Sequence, residues 1–245
     1  MNPIDPKHFW IALQFLTRLP TPKQEAAEPS DSARAVLWFP VVGFLIGTLL
    51  WITDSLLGAA DPMVRAAVVL AVWVLLSGAL HLDGLADTTD AWVGGHTDRE
   101  RMLAIMKDPY LGPMGATAIV LVLLAKFAAL TALSGGAMLL LAPVLSRTLI
   151  IGLFLTTSYV RAGGIGEAMA STLPGTHARY VILTVAVLAL LLFGWTGLLA
   201  VSAAAAWLFL FRARLMARLG GTTGDTAGAM VEIGEALVLI TLTLV

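Results

Sequence analysis

Long apolar stretches return along the chain near residues 35–57, 63–82, 113–134, 137–159, 178–194, 196–212 and 228–245. A helix crosses the hydrocarbon of a bilayer in about 20 mostly apolar residues, with a range of roughly 17–25. Each stretch is close to that length. Composition agrees: 58% of residues are hydrophobic and 13% charged, against roughly half and about a quarter in soluble domains. A globule this apolar could not hide its surface from water. The expected fold is therefore all-α, a polytopic transmembrane helical bundle of about seven spans forming one membrane domain over residues 1–245. The fifth and sixth spans are joined only by the turn Gly194-Trp195-Thr196-Gly197, and six spans is the alternative if they merge. Residues 8–19 are too short to cross and read as an amphipathic N-terminal helix in the membrane interface. Asp5-Pro6-Lys7-His8, followed by Arg18, does not read as a cleavable signal.

Basic residues set the orientation. With the N-terminus inside, the inner segments carry Lys7, Arg18, Lys23, Arg34, Arg99, Arg101, Lys107, Arg161, Arg179, Arg212, Arg214 and Arg218, and the outer segments carry only Arg65. The chain is thus expected to be an integral inner-membrane protein whose functional side faces the cytoplasm. The inner segments 83–112, 160–177 and 213–227 read as long loops rich in Gly, Asp and Arg, with 83–112 the main catalytic loop. A net charge of -1 gives no bulk attraction to nucleic acid. With no cysteines, disulfides, thiolate metal sites and cysteine nucleophiles are excluded. The oligomeric state is left open, a homo-oligomer included.

Four constellations can carry chemistry. In His81-Leu82-Asp83-Gly84-Leu85-Ala86-Asp87-Thr88-Thr89-Asp90-Ala91 a continuing helix puts Asp83, Asp87 and Asp90 on one face, at i, i+4 and i+7. Carboxylates that close repel, and either take up protons or share a cation. Hard oxygen ligands suit Mg²⁺, usually held by a few carboxylates together with substrate phosphates. The competing reading is a solvated acidic helix end, and His81 either joins the site or sits at the interface. In the second constellation, Lys107 and Asp108 precede the turn Pro109-Tyr110-Leu111-Gly112-Pro113, where they meet phosphate or a second metal, or only end a short helix. The third, Tyr159-Val160-Arg161-Ala162-Gly163-Gly164, sets an arginine beside glycines, a pattern that suits an anion and also an ordinary linker. The fourth, Gly220-Gly221-Thr222-Thr223-Gly224-Asp225, opens the last span, where helix N–H groups favour phosphate. Asp225 there either binds metal or caps the helix.

Four charges lie within the spans. Arg147 is expected to point into the bundle towards Glu232 or Glu235, and Lys126 to snorkel to the outer surface.

At these motifs the chain resembles cobalamin synthase, the adenosylcobinamide-GDP ribazoletransferase family. The resemblance runs nearly end to end, through Phe15-Leu16-Thr17-Arg18-Leu19-Pro20, Trp38-Phe39-Pro40-Val41-Val42-Gly43, the acidic motif from His81 to Ala91, Ile105-Met106-Lys107-Asp108 and Gly221-Thr222-Thr223-Gly224-Asp225. It implies a Mg²⁺-dependent membrane enzyme with cytoplasmic small-molecule substrates. A hydroxyl of α-ribazole, or of its 5′-phosphate, attacks the cobinamide-bound phosphorus of adenosylcobinamide-GDP, GMP leaves, and the lower nucleotide loop of adenosylcobalamin, or of its phosphate, is complete. On this reading Asp83, Asp87 and Asp90 hold Mg²⁺ against the diphosphate, and one of them or Asp225 takes the proton. Lys107 and Arg161 neutralise the leaving group, and Asp108, Arg147, Thr222 and Thr223 are further expected substrate contacts.

Two other functions compete. A CDP-alcohol type phosphotransferase also carries Asp-Gly, but follows it with an Ala-Arg pair, whereas here Ala86 is followed by Asp87. A transporter would use Lys126, Arg147, Glu232 and Glu235 as an ion pathway, and predicts broken helices paired in two similar halves, which the sequence does not display.

Overall fold

The computed structural model describes residues 5–22, 28–133, 135–163 and 165–245. Lys23 and Gly164 lie outside the described residues. The chain begins with helix α1 (Pro6–Leu16), started by the Asp5 carboxylate accepting from the Lys7 N–H. Its 11 residues are too few to span a membrane. Helix α2 (Pro29–Ala35) runs through a tight turn at Val36–Trp38 into α3 (Phe39–Leu56). Helix α4 (Pro62–Ser77) starts at Asp61, whose carboxylate accepts from the Met63 and Val64 N–H groups.

The sequence reading ran this span on to residue 82, and the structure corrects it. Gly78 and Ala79 are both left-handed, with φ of 60° and 58°, and α5 (Leu80–Gly94) leaves at 86° to α4. Gly78 adopts that conformation freely, while Ala79 does so at a cost of about 1–2 kcal/mol. Arg18 reinforces the break: its N–H donates to the Leu76 carbonyl at 2.8 Å, and its side chain fills the space a Cβ on Gly78 would need. Only α4 is therefore directed across the bundle. α5 lies across the end where α7 (Pro113–Ala132) and α11 (Gly224–Thr243) begin.

The stretch 83–112 is correspondingly not a loop. It is mostly α5 and the short helix α6 (Arg99–Ile105). Helix α8 (Leu141–Thr156) follows α7, and α9 (Ile165–Ser171) occupies part of the second expected loop. Helix α10 covers Gly175–Leu219, 45 residues, a length of roughly 68 Å if straight. It is not straight. Gly194 takes φ 55° and ψ -129°, and a Cβ on Gly197 would collide with the carbonyl of Ala189, eight residues earlier. Both far ends return to the end of α8: Gly175 lies against Leu155, and Arg212 donates to the Thr156 carbonyl at 2.8 Å. The two legs, 175–193 and 195–219, are thus separate spans hinged where the sequence places its tight turn. Five helices are long and apolar enough to cross, and the α4–α5 pair is a sixth candidate. Dividing α10 brings the count to seven among the described residues.

α8 and α11 form the centre, 78% and 72% buried over their apolar stretches, whereas α10 at 11% stands at the rim of the bundle. Four charges meet between them. Lys126 donates to Glu232 at 2.5 Å and also pairs with Glu235. Arg147 pairs with Glu235 and donates to the Ser146 hydroxyl at 2.9 Å. Lys126 therefore does not snorkel outward. It points inward, its ammonium 4.9 Å from the centre of the Trp73 ring, because two carboxylates satisfy it there and an unpaired ion in an apolar interior costs far more.

Candidate active site

The acidic motif stays helical beyond the α4–α5 break, so Asp83, Asp87 and Asp90 do share one face of α5. They do not share one fate. Asp90 accepts from the Gly112 N–H at 2.8 Å and the Gly115 N–H at 2.9 Å. Its two oxygens thereby close the start of α7, where the helix dipole favours a carboxylate. This gives Asp90 a capping role and ties α5 to the beginning of that helix. One turn earlier, Gly84 packs on the backbone of Asp225, where a Cβ would come within 2.7 Å of the carbonyl. That close approach brings α5 and the first turn of α11 together, and Asp225 with them.

The start of α11 is built from threonines. Thr223 caps the helix: its hydroxyl accepts from the Thr226 N–H, and the Thr226 hydroxyl accepts from the Thr223 N–H at 2.9 Å. The Thr222 hydroxyl meets that of Thr226 at 2.8 Å. Both Thr222 and Thr223 are fully buried, so neither hydroxyl is open to substrate, contrary to expectation. The cap is Thr223, and the Asp225 carboxylate is left for other partners. Arg161 provides one, its Nη1 donating to Asp225 Oδ2 at 2.5 Å. A short backbone ladder makes this pairing possible. The Val160 N–H donates to the Thr222 carbonyl and the Thr222 N–H to the Ser158 carbonyl, each at 2.9 Å. The Gly224 N–H adds a bond to the Tyr159 hydroxyl at 3.1 Å.

Between these elements lies a cavity of about 420 Å³. Asp83, Lys107, Arg161 and Asp225 line it, together with the apolar and aromatic side chains of Phe15, Phe39, Phe154, Tyr159 and Met169. His81 also borders it, 3% exposed, with no hydrogen-bond partner for Nδ1. Asp108 does not reach it. That carboxylate is exposed and accepts from the Tyr110 N–H at 3.1 Å within its own turn. Arg147, expected among the substrate contacts, is instead fully buried in the ionic cluster. A larger groove of about 620 Å³ runs between α3, α8 and α10, but no Asp, Glu, Lys or Arg lines it, so it offers no phosphate chemistry.

Asp87 lies beside the polar wall. Its carboxyl is pushed up from 3.8 to about 7, first by burial, then by the charges of Asp83 and Asp225, with Arg161 opposing. Asp87 therefore senses three other carboxylates, Asp83, Asp225 and, most weakly, Asp90. Among the described residues no three His, Cys, Asp or Glu side chains stand close enough to cage a metal ion. The arrangement fits Mg²⁺ differently, as a site of one or two carboxylates completed by substrate phosphate and water, and a cation there relieves the repulsion on Asp87.

The aromatic wall is what sequence reading missed. Phe15 and Phe39 fall in motifs singled out above, but Phe154 and Met169 resemble ordinary core residues, and only the fold places them in one pocket with Asp83.

Comparisons with known proteins identify the family. The model of the cobalamin-5-phosphate synthase family matches residues 8–243. A Pseudomonas fluorescens protein named adenosylcobinamide-GDP ribazoletransferase is 52% identical over 235 residues, covering 95% of this chain and 97% of its own. A relative of the same name from Pseudomonas putida is 53% identical over 240 residues, covering 96% and 98%. One from Ectopseudomonas mendocina is 52% identical over 237 residues, covering 96% and 97%. No solved structure matches the chain. A match of that extent over a bundle with its acidic pocket at one end leaves a single assignment: the chain belongs to the cobalamin-5-phosphate synthase family.

Proposed function

We propose that the protein transfers the phosphocobinamide moiety of adenosylcobinamide-GDP to α-ribazole, or to its 5′-phosphate, releasing GMP and completing the lower nucleotide loop of adenosylcobalamin or its phosphate. The observation that carries this reading is the pocket in which Asp83 and Asp225 face Arg161 and Lys107, in a chain matched nearly end to end by ribazoletransferases. Phosphoryl transfer needs little covalent help from a protein. It needs positioning, neutralisation of phosphate charge and a destination for the hydroxyl proton.

Each requirement has a residue. Asp83 and Asp87, one helical turn apart, are the carboxylates that would hold Mg²⁺, which would supply neutralisation of the phosphate charge when bound. Lys107 and Arg161 bring the positive charge the leaving GMP needs. Arg161 is held in place by Asp225 before substrate arrives. When its guanidinium turns to phosphate, bidentate if both oxygens are presented, the Asp225 carboxylate loses its partner. Its Oδ2 then accepts the proton of the attacking hydroxyl.

The end of the bundle carrying the pocket faces the cytoplasm of a bacterial inner membrane in this proposal. The support is the basic bias described above: every loop at that end carries Lys or Arg, and Arg65 alone lies at the other. Arg65 is moreover paired with Asp54 at 3.2 Å. The transporter alternative gains no support from the buried charges, which pair with one another and do not line the pocket.

The test is an assay of purified protein for GMP release. Release is expected only with adenosylcobinamide-GDP, α-ribazole (or its phosphate) and Mg²⁺ together, and is expected to stop on chelation with EDTA. Release without ribazole, or unaffected by EDTA, would overturn the reading.

A further inference from the structure

We infer that the 420 Å³ pocket is the seat of the ribazole acceptor, with its base against the aromatic wall, and that the corrinoid stays outside, reaching in only with its diphosphate. This rests on the function proposed above and adds which substrate occupies the cavity.

Size is the first argument. Cavities of about 300–1,000 Å³ enclose drug-sized ligands. A nucleoside fits the lower part of that range, and a corrin macrocycle with its side chains and nucleotide does not fit 420 Å³.

Chemistry is the second. The apolar part of the lining is largely aromatic and thioether. Phe15 and Phe39 lie stacked with ring centres 6.0 Å apart at 14°. Phe154 and Tyr159 meet edge to face at 6.2 Å, and Met169 is 98% buried beside them. Flat aromatic ligands pair well with such rings and with sulfur. A guanine ring carries amide donors and acceptors around its edge, each needing a partner once desolvated. The Phe and Met side chains supply none, and the Tyr159 hydroxyl already accepts from Gly224. An aryl base with few polar atoms, such as the base of a ribazole, loses nothing there. Among the residues lining the pocket, His81 alone has a buried side-chain nitrogen without a partner, a single hydrogen bond for such a base.

The third is order along the cavity. The Tyr159 hydroxyl accepts from Gly224 beside Asp225, so a base on the aromatic side chains sets the nucleoside's hydroxyls near Asp225 and Arg161, with the diphosphate coming past the exposed Lys107. The guanosine end then remains outside with the corrinoid.

Three measurements on the full-length protein test this. In the wild type, α-ribazole is expected to quench or shift intrinsic tyrosine and tryptophan fluorescence saturably without any corrinoid, and a benzimidazole riboside to displace it while guanosine does not. Phe154→Leu and Met169→Ala are expected to raise KM for ribazole about ten-fold or more while KM for adenosylcobinamide-GDP moves less than two-fold. A wild-type enzyme that binds ribazole only after the corrinoid, guanosine displacing as well as the riboside, or variants whose KM rises for the corrinoid instead would each overturn the inference. Should the wild type release no GMP at all, the proposed activity fails instead. The ligand-binding arm needs neither turnover nor a folded variant, so the two failures are distinguishable.

Discussion

Each of the four acidic side chains near the pocket has a different environment, and that decides what each substitution does. Asp225 sits where the reacting hydroxyl is expected, paired with Arg161. Asp225→Asn is expected to lower turnover by about 10²–10⁴-fold, the usual range for a lost proton acceptor, with the protein still inserting and purifying. Turnover of GMP within a few-fold of wild type would remove it from the mechanism. Asp87 behaves in the opposite sense for stability. Its folded-state pKa of about 7 lies above the ordinary 3.8, so ionisation opposes folding. That penalty is absent below the ordinary carboxylate value, grows as pH rises, and is complete above about 7. Asp87→Asn in EDTA is therefore expected to raise the thermal midpoint at pH 8 and leave it unchanged near pH 4, while turnover is lost. An equal shift at both pH values would contradict the account. Residue types were legible in the sequence at Asp83, Asp87, Arg161 and Asp225. The capping role of Asp90 was not, because its partners are backbone N–H groups 22 and 25 residues away.

Helices inherit their placement from a few buried polar contacts. Glu235 is shared by Lys126, Arg147 and Ser146, whereas Glu232 is held by Lys126. Removing one member of a buried pair costs about 3–5 kcal/mol because the other charge is left uncompensated. Glu235→Gln is accordingly expected to lower the thermal midpoint in detergent more than Glu232→Gln does, and equal effects would refute the partition. The sequence indicated that Arg147 would turn inward, but it misplaced Lys126. Snorkelling is inferred from depth alone, while two carboxylates on α11 lie close enough in space to capture the ammonium. The same limit applies to the α4–α5 break. Hydropathy runs on through Leu80 and Leu82, and a lone Gly78 does not foretell that Ala79 will also turn left-handed.

At the scale of the whole molecule the alternation of spans is the claim most open to topology mapping. The hinge at Gly194 requires reporters fused after Ser171 and Leu219 to share one side, and reporters at 194 and after Val245 to share the other. A straight helix over 175–219 would put Ser171 and Leu219 on opposite sides. The span count was legible because lipid imposes length and apolarity on every crossing. The pocket's aromatic half was hidden for the same reason, since in an apolar span a wall residue and a core residue look alike. The most direct measurement of the central claim follows the phosphorus itself. With the cobinamide-side phosphate of adenosylcobinamide-GDP isotopically labelled, the label is expected wholly in the cobalamin product, with unlabelled GMP released in equal amount, and no conversion by Asp83→Asn. Label in the released nucleotide, or full conversion by Asp83→Asn, would contradict transfer at this pocket.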